Sequence, residues 1–173
     1  MATALDYMGP VLATSVWVDG VMCARDVKVE LPEISPETYD VEASGTVSLP
    51  IYSRLDDMEA KITKIGEDLG FIKILQQGLT SHVYEFRWAT ETLKRLGFTT
   101  AVGGKSFIKG MVKGVPSISL EPGEASENEI TIECLTYRLI VDGVEHIKID
   151  KLNHITRVGT TDVSKPVNLL VDL

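Results

Sequence analysis

LTYRLIVDGVEHIKI, residues 135–149, sets two apolar-rich runs, Leu135–Val141 and Val144–Ile149, on either side of Asp142-Gly143. Asp-Gly between such runs signals a tight hairpin, because a type I′ turn needs positive φ at both central residues. The same pattern stands near the start. Val16, Trp17 and Val18 lead into Asp19-Gly20, and Val21, Met22 and Cys23 follow. Val27, Val29 and Leu31 then alternate with Lys28 and Glu30, and Met58, Ala60 and Ile62 with Glu59, Lys61 and Thr63. Period-two alternation is the mark of a half-buried strand.

Further along, 82–92 and 106–120 read as strands around a variable connection containing Gly97, Gly103 and Gly104. One segment, 68–77, has helical spacing, with Phe71, Ile72, Ile74 and Leu75 apolar and Gly78 as a stop. From Pro32 to Pro50 the chain is polar, with three prolines and two acidic clusters, which predicts a long loop without a regular element. A loop of that length in a compact domain is usually functional. The pattern predicts a mainly β fold: two packed antiparallel sheets, as a sandwich or barrel, with one short flanking helix.

The chain of 173 residues fits a single domain spanning 1–173. Its 25 acidic residues against 17 basic give a net charge of −8, a surface that does not attract phosphate or anionic membranes. The N-terminal stretch carries Asp6 and no basic region, so it does not read as a signal peptide, and no apolar run is long enough to cross a bilayer. No membrane anchor is expected.

Sites for chemistry fare poorly. Gly104-Lys105-Ser106 resembles the end of a phosphate-binding loop, but Thr99 stands where that motif needs its first glycine. The surroundings read as β, with no helix to follow. His82, His146 and His154 lack the spacing of metal ligands. Cys23 and Cys134 have no CxxC partner and read as reduced, buried apolar residues. No G-x-S-x-G is present for a nucleophile. Glu129 and Glu133 share a strand face and could do acid–base work, but a solvated or subunit-facing surface explains them more simply. No catalytic residue, cofactor or metal is expected.

From Cys134 to Ile155 the sequence resembles the C-terminal hairpin of major tail tube proteins of contractile-tailed phages, a family also found in phage-tail-like bacteriocins. The residues that carry the likeness are Cys134, Arg138, Leu139, Asp142, Gly143, Glu145, Ile149, Asp150, Asn153 and Ile155. The start is similar too: Asp19-Gly20, Val29, Leu31-Pro32 before a long polar loop, and Leu55-Asp56-Asp57 before the next strand. The resemblance implies the phage tail tube fold, a structural subunit and not an enzyme, and hexameric rings stacked into a tube. The partners it implies are further copies of the chain, the sheath protein, a baseplate or tail initiator, and the tape measure protein. The tube would be the channel for DNA ejection or membrane perforation, and DNA would pass through without specific binding. The implied place is the inner tube of a virion tail, made in the cytoplasm of a bacterial host. Two other readings remain open from the residues, an effector-delivery tube of a type VI-like injection system and a monomeric β-barrel binding protein.

Within that frame two sets of residues become candidates. The polar faces of four strands carry Lys28 and Glu30; Glu59 and Lys61; Ser117, Ser119 and Glu121; and Glu129 and Glu133. Their opposite faces are apolar, so the polar set faces solvent and, in a ring, the lumen. The long loop, through Glu37, Thr38, Tyr39, Asp40, Val41, Glu42, Ala43 and Ser44, is the expected bridge between rings. Residues 156–173 are expected to form a C-terminal arm.

Overall fold

A computed structural model describes residues 7–43, 45–66, 69–76, 80–94, 97–114, 122–123 and 125–170. Twelve strands and two short helices follow one another: β1 (Tyr7–Val18), β2 (Val21–Arg25), β3 (Lys28–Glu30), β4 (Pro36–Ala43), β5 (Gly45–Leu55), β6 (Glu59–Ile65), α1 (Leu69–Gln76), β7 (Ser81–Leu93), β8 (Thr99–Val112), β9 (Glu127–Val141), β10 (Val144–Asp150), β11 (Ile155–Val158), β12 (Thr161–Asp162) and α2 (Lys165–Leu170). All pairings are antiparallel. Ten strands form one sheet, ordered β12-β11-β10-β9-β8-β7-β1-β2, with β6 and β3 branching from β9; β4 and β5 form a second sheet.

The Asp-Gly turns behave as their chemistry requires. Asp19 and Gly20 take φ of 48° and 81°, and Asp142 and Gly143 take 51° and 76°. Strand β9 is the spine. Its first half, Glu127–Glu133, pairs with β6, and its second half, Thr136–Val141, pairs with β10 on the same side. The fold therefore curls over one core rather than lying flat. Val16, Val18, Met58, Ala60, Ile62, Tyr84, Phe86, Ile108, Ile130, Ile132 and Cys134 fill it. Burying each large side chain contributes about 1.5–3 kcal/mol. Helix α1 closes one side through Phe71 and Ile74, both buried.

Three expectations need correction. Residues 32–50 are not an irregular loop, because 36–55 form the β4–β5 hairpin. The prolines hid it. Proline is tolerated on edge strands, and both strands of a two-stranded sheet are edges, so Pro36 and Pro50 do not break the pairing. Of the three glycines expected in the connection before the next strand, Gly97 (φ 83°) lies outside a strand, but Gly103 and Gly104 lie inside β8. Gly104 is there because a Cβ would stand 2.1 Å from the Trp88 ring across the β7–β8 pair. The C-terminal segment, finally, is no free arm over its described part. Ile155–Val158 pairs with β10, and the Thr156 N–H donates to Ser164 Oγ at 2.8 Å, with both residues buried.

The motif after β10 explains itself locally. Asp150 Oδ1 accepts the N–H groups of Leu152 and Asn153, each at 3.0 Å, and Asn153 Nδ2 donates to Asp150 Oδ2 at 2.6 Å. This Asx-type cap turns the chain from β10 into β11.

Candidate functional site

Strand register brings most of the expected polar set together. Glu30 stands opposite Lys61 and Lys28 opposite Thr63 in the β3–β6 pair. Across β6–β9, Glu59 faces Glu133, Lys61 faces Thr131 and Thr63 faces Glu129. Side chains alternate faces along a strand, and Ala60, Ile62, Ile130 and Ile132 are all fully buried on the core side. Lys28, Glu30, Glu59, Lys61, Glu129 and Glu133 therefore share the outward face of three adjacent strands. Ser117, Ser119 and Glu121 lie outside the described residues, as does Ser44.

The face is a lattice of ion pairs, not a field of free carboxylates. Lys28 Nζ lies 2.7 Å from Glu30 Oε1, and Lys61 Nζ lies 3.6 Å from Glu129 Oε1. Glu59 and Glu133, directly opposite each other, would repel. Lys113 resolves this, contacting Glu59 and lying 3.8 Å from Glu133 Oε2. Hydrogen bonds from Lys28 and Lys113 hold the carboxyls of Glu30 and Glu59 below the usual glutamate value and raise both lysines. Four carboxylates thus meet three ammonium groups. Lys113 was absent from the sequence-based set; only the pairing of Met111 with Glu133 and the bond from the Lys113 N–H to Thr131 O place it here.

A second surface is the hairpin. Tyr39 pairs with Leu49, Val41 with Val47 and Glu37 with Ile51, so Tyr39, Val41, Val47, Leu49 and Ile51 share one face. Thr38, Asp40, Thr46, Ser48 and Pro50 share the other. Tyr39, Val47 and Leu49 are 62%, 54% and 50% exposed. The hairpin is rooted beside the β10–β11 turn, where Lys151 Nζ donates to Asp56 O at 2.9 Å and Asp56 N–H to Ser35 O at 3.0 Å. Its outer part touches little else. A lone two-stranded sheet with one apolar face is marginal in water.

Chemistry is poorly served elsewhere. Burial pushes the Cys134 thiol up to about 12, and also raises Cys23, which leaves both as unreactive thiols. His82 Nδ1 meets Asp19 Oδ2 at 2.7 Å and its Nε2 meets Thr80 Oγ1 at 2.8 Å. This hydroxyl–imidazole–carboxylate row lies on the surface, and it ties the β1–β2 turn to β7, because Asp19 Oδ1 also accepts the Val83 N–H. Gly104-Lys105-Ser106 sits mid-strand, with no helix N-terminus to hold a phosphate. Among the described residues no cluster of three metal-ligating side chains occurs, and no helix is long and apolar enough to cross a membrane.

Comparison with known proteins gives a consistent result. The family described as "Phage tail tube protein FII" matches residues 11–168. The solved sheath/tube terminator of an extracellular contractile injection system (PVC), in its extended state, superposes with a TM-score of 0.53 at 14% identity, covering 80% of this chain and 99% of that one. The sheath-tube complex of the same system gives a TM-score of 0.52 at 16% identity, covering 82% and 95%. No curated protein sequence matches.

Proposed function

Because this chain belongs to the phage tail tube protein FII family, matched over residues 11–168, we propose that it works as a structural subunit of a tail tube, with no catalytic step of its own. It acts as one domain over 1–173, assembling into hexameric rings that stack inside a sheath. The family match is the observation that carries this reading. The fold's likeness to a component of a sheath-tube complex supports a particle with a sheath as neighbour, and a baseplate at its end is part of the same proposal. A tape measure protein inside the tube, assembly in the host cytoplasm and passage of DNA complete the proposal.

The physics suits the role. Neighbouring sheets joined around a ring remove exposed edges, and head-to-tail stacking grows an open filament. Purified protein at high concentration should form rings or tubes in negative stain. A folded protein that stays monomeric at every concentration and salt would end the tube reading.

The charged outward face is the proposed lumen surface. Its carboxylates deny DNA the cationic partners whose counterion release drives tight binding, and Lys28, Lys61 and Lys113, each tied to a glutamate, are not free to replace them. Changing Glu59→Lys and Glu133→Lys together should leave tubes that retain DNA and deliver it slowly. Well-formed tubes with unchanged passage and no retained DNA would remove this face from the lumen.

A further inference from the structure

One stretch of the outward sheet face is positive in a chain that is acidic as a whole. We propose that this stretch, centred on Phe107 and bounded by Lys105, Lys109 and Lys148, docks an acidic segment of another protein. The proposal rests on the tube reading, under which that protein is the sheath, and it names the chemistry of the sheath's contacting segment.

Cross-strand register builds the surface. In the middle row Trp17 stands opposite Glu85, Glu85 opposite Phe107 and Phe107 opposite Arg138. Arg138 then stands opposite Lys148, and Lys148 opposite Arg157. The row on one side runs through Ser15, Arg87, Lys105, Ile140 and Glu145; the row on the other runs through Val83, Lys109, Thr136 and Asp150. Residues opposite each other in register share a face, and faces alternate along each strand. Val16, Phe86, Ile108, Tyr137 and Ile149 are buried on the core side, so these rows face outward. β9 also carries the acidic lattice, but the ladder shifts between Lys109 and Gly110. Such a bulge bends and twists the strand between Glu133 and Thr136.

Charge is distributed unevenly here. Six basic side chains, Arg87, Lys105, Lys109, Arg138, Lys148 and Arg157, meet four acidic ones, Glu85, Glu145, Asp150 and Asp162, whereas the whole chain has 17 against 25. All four acids are engaged. Glu85 accepts Arg87 Nε and Nη2 at 2.6 and 2.9 Å, and Glu145 contacts both Arg138 and Arg157. Asp150 caps the β10–β11 turn, and Asp162 Oδ1 accepts the N–H groups of Ser164 and Lys165, each at 3.1 Å. Lys105, Lys109 and Lys148 are exposed, with no carboxylate within ion-pair distance among the described residues. On the acidic lattice, by contrast, Lys28, Lys61 and Lys113 are each tied to a glutamate. Lys148 also stands between Arg138 and Arg157 on successive strands, about 4.8 Å apart. Like charges directly opposite each other destabilise a sheet, and an incoming carboxylate relieves that.

The composition favours a protein over a nucleic acid. Arg87 lies over the Trp17 ring, 4.2 Å from its centroid, and the other two arginines share Glu145, so the side chains best shaped for phosphate are already bound. What remains is a half-buried aromatic centre, Phe107 beside Ile140, with single lysines around it. An apolar centre with a charged rim is the anatomy of a protein interface. The chain's net charge of −8 opposes a long polyanion. A short acidic segment is governed by the nearest charges, because salt screens those beyond about 10 Å.

The test uses assembled tubes and the sheath protein made with them. Lys105→Glu, Lys109→Glu and Lys148→Glu, placed together, should leave tube yield and Tm unchanged. Sheath binding should fall by about tenfold or more, the scale of three lost rim pairs. Binding by the parent should weaken as salt rises, and Phe107→Ala should lower it with that salt dependence kept. Full sheath binding by the triple variant overturns the proposal. So does a folded triple variant that forms no tubes, which makes this face a contact between copies. Duplex DNA retained by parent tubes and released by the variant overturns it too, because the face is then a phosphate site. If the parent forms no tubes, the tube reading falls by itself. The face is then judged on the soluble subunit, which should bind poly-L-glutamate where the triple variant does not; equal behaviour of the two overturns the docking surface as well.

Discussion

The core around β9 and the hairpin at 36–55 are built from the same alternation of apolar and polar residues, yet one is sealed and the other bare. Ile130 and Ile132 are fully buried; Val47 and Leu49, on an equally regular strand, are half exposed. In the core each apolar residue is covered by another part of the same chain. In the hairpin the alternation continues with nothing among the described residues to cover Tyr39, Val47 and Leu49. The first kind of region stabilises a subunit and the second, on the assembly proposed above, is left for a neighbouring copy to cover, so substitutions in the two should part cleanly between melting temperature and tube yield.

The largest effect is expected in the core. Gly110 sits where β8 bulges against β9, and a Cβ there would lie 2.2 Å from the backbone oxygen of Glu133. A backbone atom in a central pair cannot step aside, so Gly110→Ala should cost about 3 kcal/mol or more. For a chain of this length that lowers Tm by about 6–12 °C, at about 2–4 °C per kcal/mol. Calorimetry checks it, and an unchanged Tm would mean that β8 and β9 do not approach this closely. Replacing Glu37–Ser44, most of strand β4, with a short Gly-Ser linker should give the opposite outcome: a Tm close to the parent's, because β4 and β5 pair only with each other and not with the ten-stranded sheet, and no tubes in negative stain. Normal tubes from that variant would break the contrast between the two regions.

The core should also respond to alkali. Burial raises the Cys134 thiol from 9.0, and the Tyr84 and Tyr137 phenols from 10.0, each to about 12. The unfolded chain loses these protons first, so it binds fewer than the folded chain between pH 9 and 12. Stability therefore falls as pH rises through that window, by on the order of 2 kcal/mol for each group. A Tm that is flat from pH 8.5 to 11 would contradict the burial of all three. The linker variant should trace the same curve, since none of these groups lies in the hairpin.

How much of this was legible depended on which physics each segment obeyed. The Asp-Gly turns, the strands around Met58–Ile62 and Val144–Ile149, and the helix at 69–76 follow local rules, so alternation and turn chemistry reached them. The hairpin was missed because Pro36, Pro50 and the acids between them signal a loop, and only an edge position makes them compatible with a strand. Gly103 and Gly104 misled in the same way, since the need for a small residue beneath Trp88 is a tertiary fact. At the charged face the sequence supplied Lys28, Glu30, Glu59, Lys61, Glu129 and Glu133 through period two. It could not supply Lys113, whose role depends on register between β8 and β9. The face is accordingly less acidic than those residues alone make it, because a neighbouring strand contributes Lys113.

The smallest expected effect tests whether the core is as complete as its burial suggests. Tyr84 is fully buried at the β1–β7–β8 junction, and its hydroxyl has no hydrogen-bond partner among the described residues. A buried hydroxyl without a partner costs about 1–3 kcal/mol of desolvation, while the ring contributes its full burial either way. Removing only the oxygen should therefore help. Tyr84→Phe is expected to raise Tm by about 2–4 °C, an amount that corresponds to about 1 kcal/mol in a chain of this size. It should also remove Tyr84's share of the alkaline loss, so that the gap between variant and parent widens above pH 10. Tube yield should not change, because the residue faces the core and not a neighbour. A lower Tm in the variant would mean that the hydroxyl does have a partner, and that polar contacts hold this core where the structure gives it only apolar ones.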